Sequence, residues 1–218
     1  MFREIKKLLI DRETKFKGVV HIGAHLGEEF EFYDWDMKAD RILWIEANPE
    51  THQKLLEKLS MRGAYNDHDW GALQVFVNAC LSDQDDEEVM FHVTSHTASS
   101  SFLDLELHKK YYPNILVTKD IPLKTKTFET VVRENNIDMD QYDFLCIDVQ
   151  GAEMKVLSGI GEHLSRFDKI CIEVNSEHLY KNCPLTEDID LYLKKWNFTR
   201  TETIMTTESW GEALYEKI

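Results

Sequence analysis

The residues of this chain whose types and spacing could do chemistry begin with a glycine-bearing turn and the acid that follows it. Gly18-Val19-Val20-His21-Ile22 is a short β-branched run, and it ends in Gly23-Ala24-His25-Leu26-Gly27. A glycine directly after a strand lets the backbone turn sharply and approach a ligand closely. The spacing is GxxxG, whereas a dinucleotide pyrophosphate is cradled by GxGxxG, so a dinucleotide-dependent oxidoreductase is disfavoured. The next apolar run, Arg41-Ile42-Leu43-Trp44-Ile45-Glu46, ends in a carboxylate. A carboxylate at that place can accept both ribose hydroxyls of an adenosine group. Without a ligand, the same residues would be a turn packed for steric reasons and a surface Glu.

A second set lies further along. Asp148 ends the run Tyr142–Asp148, and Glu173 and Asn175 end the run that starts at Lys169. Strand ends of an open α/β sheet face the ligand crevice, so these three can converge on one site. A hydroxyl nucleophile must lose its proton to a base or a metal, and Asp148, Glu173 and Asn175 are hard oxygen donors suited to magnesium or another divalent ion. The metal-free alternative gives Asp148 a cofactor contact and Glu173 a hydrogen bond to substrate. Gln150 and Glu153, on the segment after Asp148, join Glu173 and Asn175 as candidate substrate contacts. His96, in the Ser/Thr-rich loop His96–Ser101, is a candidate base because imidazole titrates near neutral pH. His52, His68, His108 and His163 sit in polar surroundings and read as surface residues. Trp44, Trp70, Trp196 and Trp210 read as packing residues.

The elements that must position these groups follow from periodicity. Short β-branched runs alternate with helix-like segments: strands at Gly18–Ile22, Arg41–Glu46, Leu73–Asn78, Glu88–Val93, Tyr142–Asp148 and Lys169–Val174, and helices at Glu28 to about Met37, from Asn48-Pro49 onward, Thr127–Asn135, Met154–Ile160 and Glu187–Trp196. Leu105–Tyr112 reads as a short helix. Ser95–Lys126 as a whole reads as the variable loops that shape a substrate pocket. Phe198–Met205 and Ala213–Lys217 form a terminal strand pair, with Trp210–Tyr215 providing its turn. Such alternation implies right-handed crossovers and a mostly parallel sheet with helices on both faces.

The chain has 218 residues, enough for one sizeable core and short for two, and no linker or repeat divides it. Residues 1–218 therefore read as a single domain. A net charge of -15 repels phosphate backbones, so a nucleic-acid partner is not expected. The acidic run Asp83–Glu88 reads as a solvated loop. Four cysteines without a CxxC pair suggest buried thiols in a reducing compartment. With no apolar run long enough to span a bilayer and no leader-like N-terminus, the expected location is cytoplasmic.

Four stretches make the pattern more specific: Val20–Gly27, Trp44–Pro49, Asn78–Asp83 and, above all, Phe144-Leu145-Cys146-Ile147-Asp148-Val149-Gln150-Gly151-Ala152-Glu153-Met154-Lys155-Val156-Leu157-Ser158-Gly159. Together they resemble the FkbM family of S-adenosylmethionine-dependent methyltransferases. The resemblance implies a Rossmann-like class I methyltransferase fold: an α/β, mostly parallel seven-stranded sheet with a C-terminal antiparallel hairpin. It implies S-adenosylmethionine held by His21, Gly23, Ala24, His25, Gly27, Glu46, Ala47, Asp83 and Asp148, with Asp83 at the adenine edge. It also implies methyl transfer to a hydroxyl of a small molecule, sugar, glycan or lipid, with Asp148, Glu173 and His96 as catalytic candidates. The chain differs from the family pattern at His21, usually Asp, and at His25, usually Asn. A non-catalytic Rossmann-like binding module is the alternative reading.

Overall fold

The computed structural model describes residues 3–65 and 71–218. His68 and Trp70 lie outside the described residues. A seven-stranded sheet runs in the order β3-β2-β1-β7-β8-β10-β9. Its strands are β1 (Gly18–Ile22), β2 (Arg41–Glu46), β3 (Leu73–Asn78), β7 (Phe144–Ile147), β8 (Lys169–Asn175), β9 (Phe198–Met205) and β10 (Trp210–Lys217). The first five pair in parallel, while β10 runs antiparallel to both β8 and β9. The sheet has the expected mostly parallel seven-stranded arrangement with a C-terminal antiparallel hairpin. Strand order reverses between β1 and β7, and a crevice opens beyond the carboxyl ends of strands at such a point.

Alternation along the strands sorts the core into two layers. Val20, Ile22, Leu43, Ile45, Leu145, Ile147, Ile170 and Ile172 pack on one face. There they meet α4 (Phe128–Glu134), α5 (Glu153–Ile160) and α6 (Thr186–Lys194). Val19, Ile42, Trp44, Phe144 and Cys146 pack on the other, against α1 (Arg3–Asp11) and α2 (Pro49–Tyr65). The period of two therefore turns His21, Glu46, Asp148 and Glu173 toward that second face, at the carboxyl ends of four strands.

Three expectations need correction. The stretch after Glu28 is no regular helix: its ordered part is a short π-helical turn over Phe32–Asp36, which buries Phe32 and Tyr33. Trp210–Tyr215 is not a turn but the first part of β10, in register with Asn175–Ile170 of β8, and the reversal falls on the residues before it. Ser95–Lys126 is not all loop. Besides the expected short helix, here α3 (His108–Tyr111), it contains β6 (Val117–Lys126), which joins β4 (Cys80–Leu81) and β5 (Glu88–Thr94) in a second, three-stranded sheet. Seven residue pairs hold β6 to β5 although β6 is mostly exposed. All four cysteines are free and buried. No helix among the described residues is long and apolar enough to cross a membrane.

Candidate active site

The turn after β1 folds over the end of β2: the Gly23 and Ala24 amides both donate to the Ile45 carbonyl, at 2.9 and 3.0 Å. Gly23 has φ +82, and a Cβ on it would sit 1.8 Å from the Asp148 carbonyl oxygen. The backbone of β7 thus passes directly behind the turn, and only glycine fits there. Gly27 also has positive φ, and a Cβ would meet Leu55 and Leu59 of α2, so its smallness serves helix packing and not ligand space.

Glu46 is buried and accepts two backbone hydrogen bonds, from His25 N–H at 2.9 Å and Asn48 N–H at 2.8 Å. Burial outweighs these bonds and pushes its pKa up to about 7. His25 links three groups. Its backbone holds Glu46, one ring nitrogen lies 2.9 Å from Glu28 Oε1, and the other lies 2.8 Å from Thr97 Oγ1. Burial disfavours its charge, but Glu28, Glu46 and Asp148 together raise its pKa above the ordinary value. His21 behaves differently. Its ring packs between Tyr33 and Trp44, with Nδ1 3.1 Å from the Tyr33 hydroxyl. Burial lowers its pKa to about 4, so it is neutral at physiological pH.

Asp148 and Glu173 are close enough that each shifts the other's titration. The Gln150 amide nitrogen donates to both, at 2.6 Å to Asp148 Oδ1 and 2.7 Å to Glu173 Oε2. Tyr180 donates to the Gln150 carbonyl oxygen at 2.7 Å. Burial raises both carboxyl groups, Asp148 to about 6 and Glu173 well above the usual range. The neighbouring negative charge adds to the Glu173 shift, as it does for any closely spaced carboxylate pair.

Three adjoining cavities surround these groups. A narrow cleft holds Gly23, His25, Glu46, Ala47, Asp148 and Gln150 together with Ala79, Leu81 and Phe91. A second, of about 230 Å³, is lined by His21, Gly23, Ala24, His25, Glu28, Glu29 and Asp148. A third, of about 270 Å³, lies beyond Gln150 and Glu173 and runs to His108 and Trp210. Ala98 lines all three, and His96 lines the second and third. The His96–Ser101 loop therefore sits where the cavities meet.

The other candidates lie elsewhere. Asp83 lines none of the three cavities, and its carboxylate pairs with Lys155 at 3.2 Å. Glu153 is fully buried, and its Oε1 accepts from the amides of Val149 and Gly151, which closes the loop after β7. Asn175 is also fully buried, and neither atom of its amide has a hydrogen-bond partner among the described residues. Among the described residues no group of three His, Cys, Asp or Glu side chains is placed to hold a metal ion. Of the candidate ligands Asp148, Glu173 and Asn175, the first two form a Gln150-bridged carboxylate pair. His108 corrects the sequence reading: it is buried and lines the third cavity. Thr97 and Tyr180 were not singled out, because a lone Thr or Tyr in a polar segment carries no spacing signal.

A sequence model of the FkbM methyltransferase domain matches residues 21–199. The chain belongs to this family. No curated protein matches the sequence. Among solved structures, an FkbM methyltransferase from Methylobacillus flagellatus KT superposes with a TM-score of 0.54 at 14% identity, covering 94% of this chain and 44% of that one. The chain thus spans less than half of that relative's length. Magnesium protoporphyrin IX methyltransferase from Synechocystis PCC 6803, solved with bound S-adenosylmethionine, gives 0.51 at 10% identity, with 98% and 76% covered. A putative tRNA (m1A22) methyltransferase from Streptococcus pneumoniae, in complex with S-adenosyl-L-methionine, gives 0.52 at 10% identity, with 100% and 73% covered. At these identities the likeness to solved structures concerns the fold. The FkbM domain of this chain includes the glycine turn, Glu46 and the Asp148–Glu173 pair.

Proposed function

We propose that this FkbM-domain protein, taken as one domain over residues 1–218, binds S-adenosylmethionine and methylates a hydroxyl group. One observation carries the reading: Glu46, Gly23 and Asp148, from three neighbouring strand ends, line one cleft. Gly23 keeps the turn tight against the Asp148 backbone, so both strand ends face the same cleft. The Glu46 oxygens keep lone pairs beyond their two backbone bonds, enough to accept ribose hydroxyls. Ala47, Ala79 and Leu81 give the apolar surroundings that suit an adenine. Ala24, His25 and Glu29, with Asp148, offer an anionic cavity for the positively charged methionine end. Asp83 is assigned no adenine contact, since it faces Lys155 instead.

S-adenosylmethionine supplies a methyl group activated on a sulfonium. The side chains must then orient the acceptor and take up its proton. The Asp148–Glu173 pair suits the second task. Burial lifts Asp148 above the ordinary carboxylate range, toward the operating pH where a general base works best. Gln150 fixes both carboxyl groups, and Tyr180 fixes Gln150. His96 lies where the cofactor-side and acceptor-side cavities meet and is the second candidate base. Thr97 and Ala98 narrow the cleft beside Glu46, so nucleoside entry displaces this loop from its hydrogen bond to His25.

A thermal-shift comparison tests the reading. S-adenosylhomocysteine at saturating concentration should raise Tm, and NAD should leave it unchanged. A rise with NAD alone would indicate an oxidoreductase, and no response to either compound would favour a binding module with another ligand.

A further inference from the structure

The third cavity is built differently from the other two. Its walls are the rings of His108, Tyr112, Tyr180 and Trp210, with Ile115 and Leu179 between them. Aromatic faces prefer offset or edge contacts with another flat ring. The polar groups sit at separate places. Glu173 and Gln150 line the side next to the cofactor cleft. His108 also lines the cavity, is buried, and has an Nδ1 with no hydrogen-bond partner among the described residues. Burial, helped by His96, lowers the His108 pKa, so the ring is neutral.

We propose that this cavity is the acceptor pocket and that it takes an aromatic acceptor, presenting a phenolic hydroxyl to Glu173. The proposal rests on the methyl-transfer reading above and narrows it to one acceptor class. Gln150 is fully engaged by Asp148, Glu173 and Tyr180, so it sets the position of Glu173 and leaves the hydroxyl to that carboxyl group. A sugar fits poorly: several of its hydroxyls would lose water against rings and aliphatic carbons without gaining a partner. A long acyl chain outruns a space of about 270 Å³ and makes no use of flat walls. That volume is near the lower end of ligand pockets, which run from about 300 to 1,000 Å³, and suits a compact ring system. A phenol also suits the Asp148–Glu173 pair: its pKa near 10 lies far closer to a buried carboxyl group than that of an alkyl alcohol, so its proton passes to the pair more readily.

Umbelliferone is a suitable probe, with a phenolic hydroxyl at one end, a carbonyl at the other, and fluorescence that reports its environment. It is titrated into the full chain saturated with S-adenosylhomocysteine, beside octanol and methyl glucoside competitors. Umbelliferone should bind at least about tenfold more tightly than either, a difference of about 1.4 kcal/mol. Ile115→Trp narrows the pocket from its half-buried rim and should abolish umbelliferone binding while S-adenosylhomocysteine binding is retained. Equal binding of umbelliferone and methyl glucoside, or undiminished binding in Ile115→Trp, would overturn the proposal. If S-adenosylhomocysteine fails to bind the parent chain, the methyl-transfer reading falls, and the same titration on the unliganded chain still decides the pocket.

Discussion

At the scale of single residues, the site depends on where bulk and charge are allowed. Gly23 has no room for a methyl group, since Asp148 of the neighbouring strand occupies the space, and its φ of +82 strains any other residue. Gly23→Ala should therefore cost at least about 2 kcal/mol of unfolding free energy in urea titration, from backbone strain and overpacking together. An unchanged denaturation midpoint would show that the turn is looser than described. His21 marks the contrary case. The family pattern has an acid here, yet this chain places a neutral imidazole in an aromatic cluster with Tyr33 and Trp44. The negative charge beside the turn comes instead from Glu28, Glu29 and Asp148.

At the scale of elements, helix α4 shows how an apparently solvated run can be structural. Asp85 reads as one residue of an acidic loop, but its carboxylate accepts from Thr127 N–H at 2.7 Å and from the Thr130 hydroxyl at 2.8 Å. It thereby ties the acidic loop to the N-terminus of α4, where negative charge is favoured. Asp85→Ala should lower stability by about 1–2 kcal/mol in the same urea assay. A change within error would reduce the contact to a surface accident. Legibility in the sequence varied by element for physical reasons. The buried strands β1, β2, β7 and β8 have continuous apolar runs that can be little else, so their ends and the acids on them were readable. The helix α1 also left a trace, as Ile5 and Leu9 are buried at helical spacing, but its polar residues hide it beside a chain terminus. Strand β6 left almost none. Val117-Thr118-Lys119-Asp120 is exposed, and the strand exists because β5 supplies hydrogen bonds. His108 was misplaced for the same reason: its burial comes from Tyr112 and Tyr180 packing over it, and Tyr180 is distant in sequence.

At the scale of the whole molecule, the carboxylates left at the strand ends share one surface of the sheet. Glu46, Asp148 and Glu173 are all buried there, and burial raises the pKa of each. In a chain of net charge -15, such a bowl favours a cationic ligand and disfavours an anionic one. Leu81 and Phe91 of the second sheet and Ala98 of the His96–Ser101 loop line the cleft beside these carboxylates. Sequence patterning could place the acids at strand ends, but only the fold shows Gln150 bridging two of them. The most direct test of the account is a calorimetric titration of S-adenosylhomocysteine at pH 6 and pH 8. Glu46 titrates at about 7, and ribose hydroxyls donate best to its ionised form. Affinity should therefore rise with pH, by roughly tenfold across this range. Glu46→Gln should bind more weakly at pH 8 and lose most of that rise. Absence of binding to the parent chain, or a Glu46→Gln variant that matches it at both pH values, would contradict the account.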